Sequence, residues 1–227
     1  MDYSKAFDTV RNSTLMDKTA QMNIPDNIYN WIVEYFDERT HVTQFEGVVS
    51  PSKGINASVV QGSALGPAAF IITASDLHPV YAHNKLVKYA DDMYLLVGSG
   101  RHGTIQKELN HIATWAANNN LRLNPNKSSE TVISRRRTKA TLPPLTGSIQ
   151  RVDCIKVLGV YLQSDMKMST HVSEVLSSCS SSLYALRVLR SHGLPPTALH
   201  EVARVSTLER LMYAAPVSGV LVEIMNS

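Results

Sequence analysis

Behind Asn12 and Ser13 as caps, Leu15, Met16, Thr19 and Met22 recur at helical intervals and predict a helix over 12–24. Pro25 then opens a second helix that carries Ile28, Trp31, Ile32, Tyr35 and Phe36 on one face. From Thr40 to Val60 the texture turns short and β-branched, with Pro51 and Gly54 as punctuation, which predicts strands and turns. Pro67 suits the first turn of an apolar helix ending near Leu77. Over 86–97 two apolar runs flank an acidic pair, the pattern of a hairpin with Asp at its turn. Ile105, Leu109, Ile112 and Trp115 predict a helix over 104–117, stopped by Asn118 to Asn120. Strand-like pieces recur at 131–134, 148–152 and 155–162. This order predicts an α+β fold, a sheet with helices on one side. Beyond Asp165 strand signals vanish: Val172, Val175, Leu176, Cys179, Leu183, Leu186 and Leu189 mark one helix ending at Gly193, and Pro195 and Pro196 open another.

The 227 residues suit one core with an appendage. Hydrophobic residues at 44% and charged ones at 18% exclude wholesale disorder, collagen and coiled coil. Cys154 and Cys179 are too few for a disulfide framework, and no Cys/His spacing matches a zinc site, so an intracellular, reducing compartment is expected. The start lacks a signal peptide, and the longest apolar run, Ala68 to Ala74, is far shorter than the roughly 20 residues of a spanning helix, so no membrane partner is expected. The net charge of +3 is uneven: residues 1–130 hold 11 basic against 13 acidic side chains and the remainder 11 against 6. That asymmetry hints at a polyanionic partner.

Tyr89-Ala90-Asp91-Asp92 is the most informative stretch. Neighbours on a regular strand point to opposite faces, so two adjacent aspartates need a turn if both are to face outward. A hydrophobic hairpin with two hard oxygen donors at its tip is a platform for Mg²⁺, and a solvated hairpin tip is the alternative. A third carboxylate stands in Asp2-Tyr3-Ser4-Lys5-Ala6-Phe7-Asp8. With Gln61-Gly62-Ser63-Ala64-Leu65-Gly66-Pro67 between these segments, and Leu121-Arg122-Leu123-Asn124-Pro125-Asn126-Lys127 and Val157-Leu158-Gly159-Val160 after them, the chain resembles the reverse transcriptase of non-LTR (LINE-type) retrotransposons over nearly its whole length.

The resemblance implies a right-hand polymerase: a palm over 1–165, an antiparallel sheet with helices on one face, followed by an α-helical thumb or connection over 166–227. It implies RNA-directed DNA polymerase activity with an RNA template, a DNA primer and deoxynucleoside triphosphates. Asp2, Asp91 and Asp92 become the ligands of two Mg²⁺ in nucleotidyl transfer, and Asp8 is left a structural role. Three carboxylates within about 4 Å of one another repel by roughly 4 kcal/mol per pair at an effective dielectric near 20, so such a cluster makes sense around cations. Phe7 corresponds to the aromatic gate under the incoming sugar, and read alone it is a core residue. Gln61 and Gly62 correspond to nucleotide and template contacts, with Gly66 allowing close backbone approach. Lys127 corresponds to a lysine near the leaving pyrophosphate, with a plain surface lysine as the alternative. Arg135, Arg136, Arg137 and Lys139 form a basic cluster suited to phosphate backbone or to a solvated loop. Val157 to Leu162 matches the hairpin that grips the primer end.

Met1 directly precedes Asp2 and Val60 replaces a common proline. The strand that should support Asp2 and the fingers are therefore expected to be absent, with fingers and endonuclease lying upstream in a longer polyprotein. No Cys/His knuckle follows. The family implies residence in nucleus and cytoplasm. A catalytically inactive remnant that at most binds nucleic acid is the rival reading.

Overall fold

The computed structural model describes residues 1–60, 62–134, 149–213 and 215. They form two compact units, one built on Met1–Ser128 and one running on from Ser129. The expected boundary after residue 165 falls inside the second unit.

In the first unit, α1 (Ala6–Thr9), α2 (Asn12–Ala20) and α3 (Asp26–Phe36) follow the predicted order. Asn12 does not cap α2; its side-chain amide donates to the Phe36 carbonyl at 3.3 Å, tying α2 to the end of α3. Ile32 and Phe36 are buried, whereas Ile28 and Trp31 remain about half exposed. Residues 40–54 fold into a ribbon in which β1 (Thr40–His41) pairs with β4 (Lys53–Gly54) and β2 (Gln44–Phe45) with β3 (Val48–Val49). After α4 (Leu65–Thr73), the predicted hairpin forms from β5 (Lys85–Tyr89) and β6 (Asp92–Leu96), and α5 (Ile105–Asn118) follows it. Phe70 of α4 and Ile112 and Trp115 of α5 form one core with Met93 and Tyr3.

The segment before α1 is better supported than the sequence suggests. Met1 and Met93 exchange both backbone hydrogen bonds, at 2.7 and 3.2 Å. On the other side Ser4 N–H donates to the Arg122 carbonyl and Asn124 N–H to that of Asp2, at 2.8 and 2.9 Å. Residues 1–4 thus run between the β5–β6 hairpin and residues 122–124, so Asp2 is supported on both sides by later chain. Alternation along the segment places Tyr3 inward, with its ring 6.5 Å from both Phe70 and Trp115. Burial pushes the Tyr3 phenol well above its ordinary pKa, and among the described residues its hydroxyl has no hydrogen-bond partner. Tyr3→Phe is therefore expected to leave stability unchanged or raise it by about 1 kcal/mol, read as the denaturant midpoint; a lowered midpoint would show that the hydroxyl is satisfied.

In the second unit β7 (Ser129–Glu130) pairs in parallel with β8 (Gln150–Arg151), reinforced by Arg151 Nε donating to Glu130 at 2.7 Å. The expected strand at 131–134 forms no ladder. What reads as one strand over 155–162 is a hairpin, β9 (Cys154–Val157) and β10 (Val160–Gln163), because Leu158 and Gly159 both take left-handed conformations (φ 46° and 87°) and reverse the chain. Tyr213 donates its hydroxyl to the Leu158 carbonyl at 2.6 Å and covers that turn. Helices α6 (Ser169–Ser191), α7 (Pro196–Ala203) and α8 (Glu209–Met212) follow. Of the predicted stripe, α6 buries Cys179 and Leu186 but exposes Val172, Leu176, Leu183 and Leu189.

The α+β class holds. The single antiparallel sheet does not appear among the described residues: β1 to β10 pair two by two, four pairs antiparallel and one parallel, since most are only two residues long, and residues 1–4 bridge β6 to residues 122–124. Among the described residues no helix is long and apolar enough to cross a membrane.

Candidate functional site

The register of two strands sets the site. Met1 and Met93 form a hydrogen-bonded antiparallel pair, so the next residue on each strand, Asp2 and Asp92, stand opposite one another as a non-hydrogen-bonded pair. Met93 is buried, and alternation turns Asp92 outward; Asp2 is turned outward in the same way between Met1 and Tyr3. Two carboxylates on adjacent strands therefore share the face away from the core. Both act on the Met1 amino group: burial lowers its pKa, and the charges of Asp92 and then Asp2 raise it.

Asp91 lies at the two-residue turn, since Tyr89 pairs with Asp92. Its neighbour Ala90 takes φ 48°, a left-handed conformation that costs a non-glycine residue about 1 kcal/mol. A tight turn is what lets Asp91 and Asp92 both leave the core.

Lys127 ends a 3₁₀ turn, Pro125–Lys127, and its Nζ lies 3.6 Å from Asp2 Oδ2. Asp2 N–H also reaches the neighbouring Ser128 Oγ at 3.4 Å. Three segments far apart in sequence are thus joined: Asp2, Asp92 with Asp91, and Lys127. Among the described residues no group of three His, Cys, Asp or Glu side chains converges closely enough to hold a metal ion. The donor set still fits Mg²⁺ in chemistry and register, because like charges directly opposite across strands are destabilising until a cation joins them, and all three are hard oxygen donors.

Phe7 is half-buried on α1, its ring 5.3 Å from Phe70, so it touches the core. Gly62 takes φ +83°, which disfavours any side chain, and the space beside its Cα is open. At Gly66 a Cβ would come within 3.0 Å of the Val60 carbonyl, so that glycine serves close packing inside the turn. Ser63 closes the same turn, its hydroxyl donating to the Val60 carbonyl at 2.7 Å and accepting from Gly66 N–H at 3.0 Å. Gln61, Arg135, Arg136, Arg137 and Lys139 lie outside the described residues.

The sequence pattern missed Glu108. Fully buried on α5, its carboxylate accepts from Val80 N–H (2.8 Å), Tyr81 N–H (3.0 Å) and Asn84 Nδ2 (2.8 Å), fixing the loop that enters β5. Burial alone would raise its pKa; those hydrogen bonds, with His111 nearby, bring it below the usual value. The available signal was its spacing, four before Ile112 and seven before Trp115, on the inward face.

The family description "Reverse transcriptase (RNA-dependent DNA polymerase)" matches residues 1–162. The chain is 29% identical over 187 residues to the RNA-directed DNA polymerase from mobile element jockey of Drosophila melanogaster, covering 77% of this chain and 20% of that protein. It is 27% identical over 207 residues to the "Probable RNA-directed DNA polymerase from transposon BS" of the same organism, covering 83% and 22%. The jockey counterpart of Drosophila funebris is 25% identical over 190 residues, covering 78% and 21%. The chain spans about a fifth of the length of the curated relatives it matches. With motifs of the non-LTR retrotransposon type in order along it, the chain belongs to the reverse transcriptase family.

Proposed function

We propose that this chain carries the polymerising centre of a non-LTR retrotransposon RNA-directed DNA polymerase, which extends a primer 3'-hydroxyl with deoxynucleotides on an RNA template. The observation that carries the reading is the opposition of Asp2 and Asp92 on one outward face, with Asp91 at the adjoining turn and Lys127 reaching Asp2 from a third segment. Asp2, Asp91 and Asp92 would hold two Mg²⁺, which when bound supply Lewis-acid activation of the hydroxyl and charge neutralisation at the phosphates. The protein's own part is placement. Its hairpin aims Asp91 and Asp92 outward, and Lys127, whose Nζ lies 3.6 Å from Asp2 Oδ2, would stabilise negative charge on departing pyrophosphate or give it a proton.

In this reading residues 1–165 serve as palm and 166–227 as thumb or connection. Gln61 and Gly62 contact nucleotide and template, and Arg135, Arg136, Arg137 and Lys139 contact phosphate backbone. Fingers and endonuclease belong to the rest of a longer polyprotein, and the enzyme works in nucleus and cytoplasm. Phe7, held against Phe70, presents a rigid ring that can exclude a 2'-hydroxyl.

Primer extension on an RNA template by the longer polyprotein that contains this chain, with dNTPs or rNTPs and with or without EDTA, tests the reading. RNA-templated DNA synthesis that EDTA abolishes is expected. Phe7→Val is expected to lower the deoxy-to-ribo preference about tenfold or more, because the vacated volume admits the extra hydroxyl. Absence of any product leaves the inactive-remnant reading, and an unchanged preference in a less stable Phe7→Val protein makes Phe7 a core residue only.

A further inference from the structure

Along β5 the side-chain pattern runs against the hydrophobic rule. Val87 faces outward and is 47% exposed, whereas Lys88 takes an inward position next to it. Among the described residues the Lys88 ammonium makes no ion pair within salt-bridge distance there. It donates to the backbone carbonyls of Ala74 (2.6 Å) and Leu77 (2.9 Å), just past the end of α4. A second lysine arrives from α2: Lys18 Nζ donates to the Thr73 carbonyl and to Asp76 Oδ1, at 2.5 and 2.7 Å. Asp76 also accepts from Trp115 Nε1 at 3.0 Å.

One cation suffices to cap a helix C-terminus. Here two converge from separate elements, and they repel: burial lowers the Lys88 pKa, Asp76 opposes that, and Lys18 adds to it. A single cation would satisfy the helix end, so the second, drawn from the strand that leads to the hairpin tip, ties β5 to the end of α4. The two ends of the link are the candidate site. Lys88 precedes Tyr89, whose partner across the hairpin is Asp92. The helix whose end it grips begins directly behind the Gly62-Ser63 turn, and nine residues of α4 make a rigid strut about 13 Å long.

We propose that Lys88 is a positioning residue that fixes the nucleotide-contacting turn ahead of α4 relative to the aspartates at the tip of the β5–β6 hairpin. This rests on the polymerase reading for its consequence in turnover, but not for the mechanical link. Lys88→Met keeps the apolar stem and removes the ammonium, leaving the Ala74 and Leu77 carbonyls without that donor. Lys88→Arg keeps charge and donors.

Hydrogen exchange on the parent and both variants tests the link directly. In Lys88→Met, faster exchange is expected both in 62–66 and in 89–93, with Lys88→Arg close to the parent. Faster exchange confined to 74–78 would overturn the proposal, since the lysine would then be a local cap. Primer extension well below the melting temperature reads the consequence. Lys88→Met is expected to raise the dNTP KM about fivefold or more, with a smaller change in kcat, and Lys88→Arg to restore it. A fall in kcat alone, in proportion to folded protein, would also overturn it. If the parent makes no product, the polymerase reading fails while the exchange result still decides the link.

Discussion

Asp92→Asn is expected to reduce primer extension by about 10³-fold while leaving the protein as stable as the parent or slightly more so. The amide keeps the shape of the carboxylate and removes its charge, and the side chain is exposed, so folding loses little. It also relieves an unfavourable opposition: Asp92 faces Asp2 across the strands, and like charges so placed are destabilising by roughly 0.2–1 kcal/mol. Loss of a metal-binding carboxylate costs several kcal/mol of transition-state stabilisation, and each 1.36 kcal/mol is about tenfold in rate. Asp91→Asn is expected to behave alike. The measurement is the single-nucleotide extension rate beside a thermal melt; activity within about tenfold of the parent would remove Asp92 from the metal-binding set.

Glu108→Ala is expected to destabilise the first unit by about 3 kcal/mol, since it strands the Val80 and Tyr81 N–H groups and the Asn84 amide in a buried loop. At this chain length that lowers Tm by roughly 6–12 °C. The pH dependence has a definite sign. The folded pKa of Glu108 lies below its usual value, so its contribution is fully present above the unfolded-state pKa and is lost as pH falls through the folded one. The gap between parent and variant is therefore widest near neutrality and narrows in acid. Melting both proteins from pH 7 down to pH 3 checks it; a gap that stays constant or widens in acid contradicts the assignment.

The sequence made the helices and the central hairpin legible because their signals are local. Apolar periodicity places α3 and α5, and the acidic pair between apolar runs places the β5–β6 turn. The motif pattern also picked out Asp2, Asp92 and Lys127, which the structure brings to one face. What stayed hidden depends on contacts made across the chain. Asn12 looked like a cap but is claimed by the Phe36 carbonyl. The α6 stripe gives the helix but not its neighbours, so Leu176 and Leu183 stay exposed. A leucine in a left-handed turn at 158 has no local signal, so the bare pattern over 155–162 reads as one strand and only the family resemblance points to the hairpin. Glu108 and Lys88 are charged residues at inward positions, which a hydrophobic pattern discounts by construction.

The double pairing of residues 1–4 has a kinetic side. Their partners are Met93 and residues 122–124, separated from them by roughly ninety and one hundred and twenty positions. The hairpin and α5 can form from near neighbours, but the strand carrying Asp2 must wait for a loop of most of the first unit to close, and such long-range contacts slow folding. During synthesis Asp2 emerges ahead of both its partner segments and is locked in after them: its inner edge cannot pair until Met93 has been made, nor its outer edge until Asn124 has. The carboxylate face is thus a late product of folding, and a nascent chain interrupted before residue 121 would hold the aspartate pair by one strand edge alone.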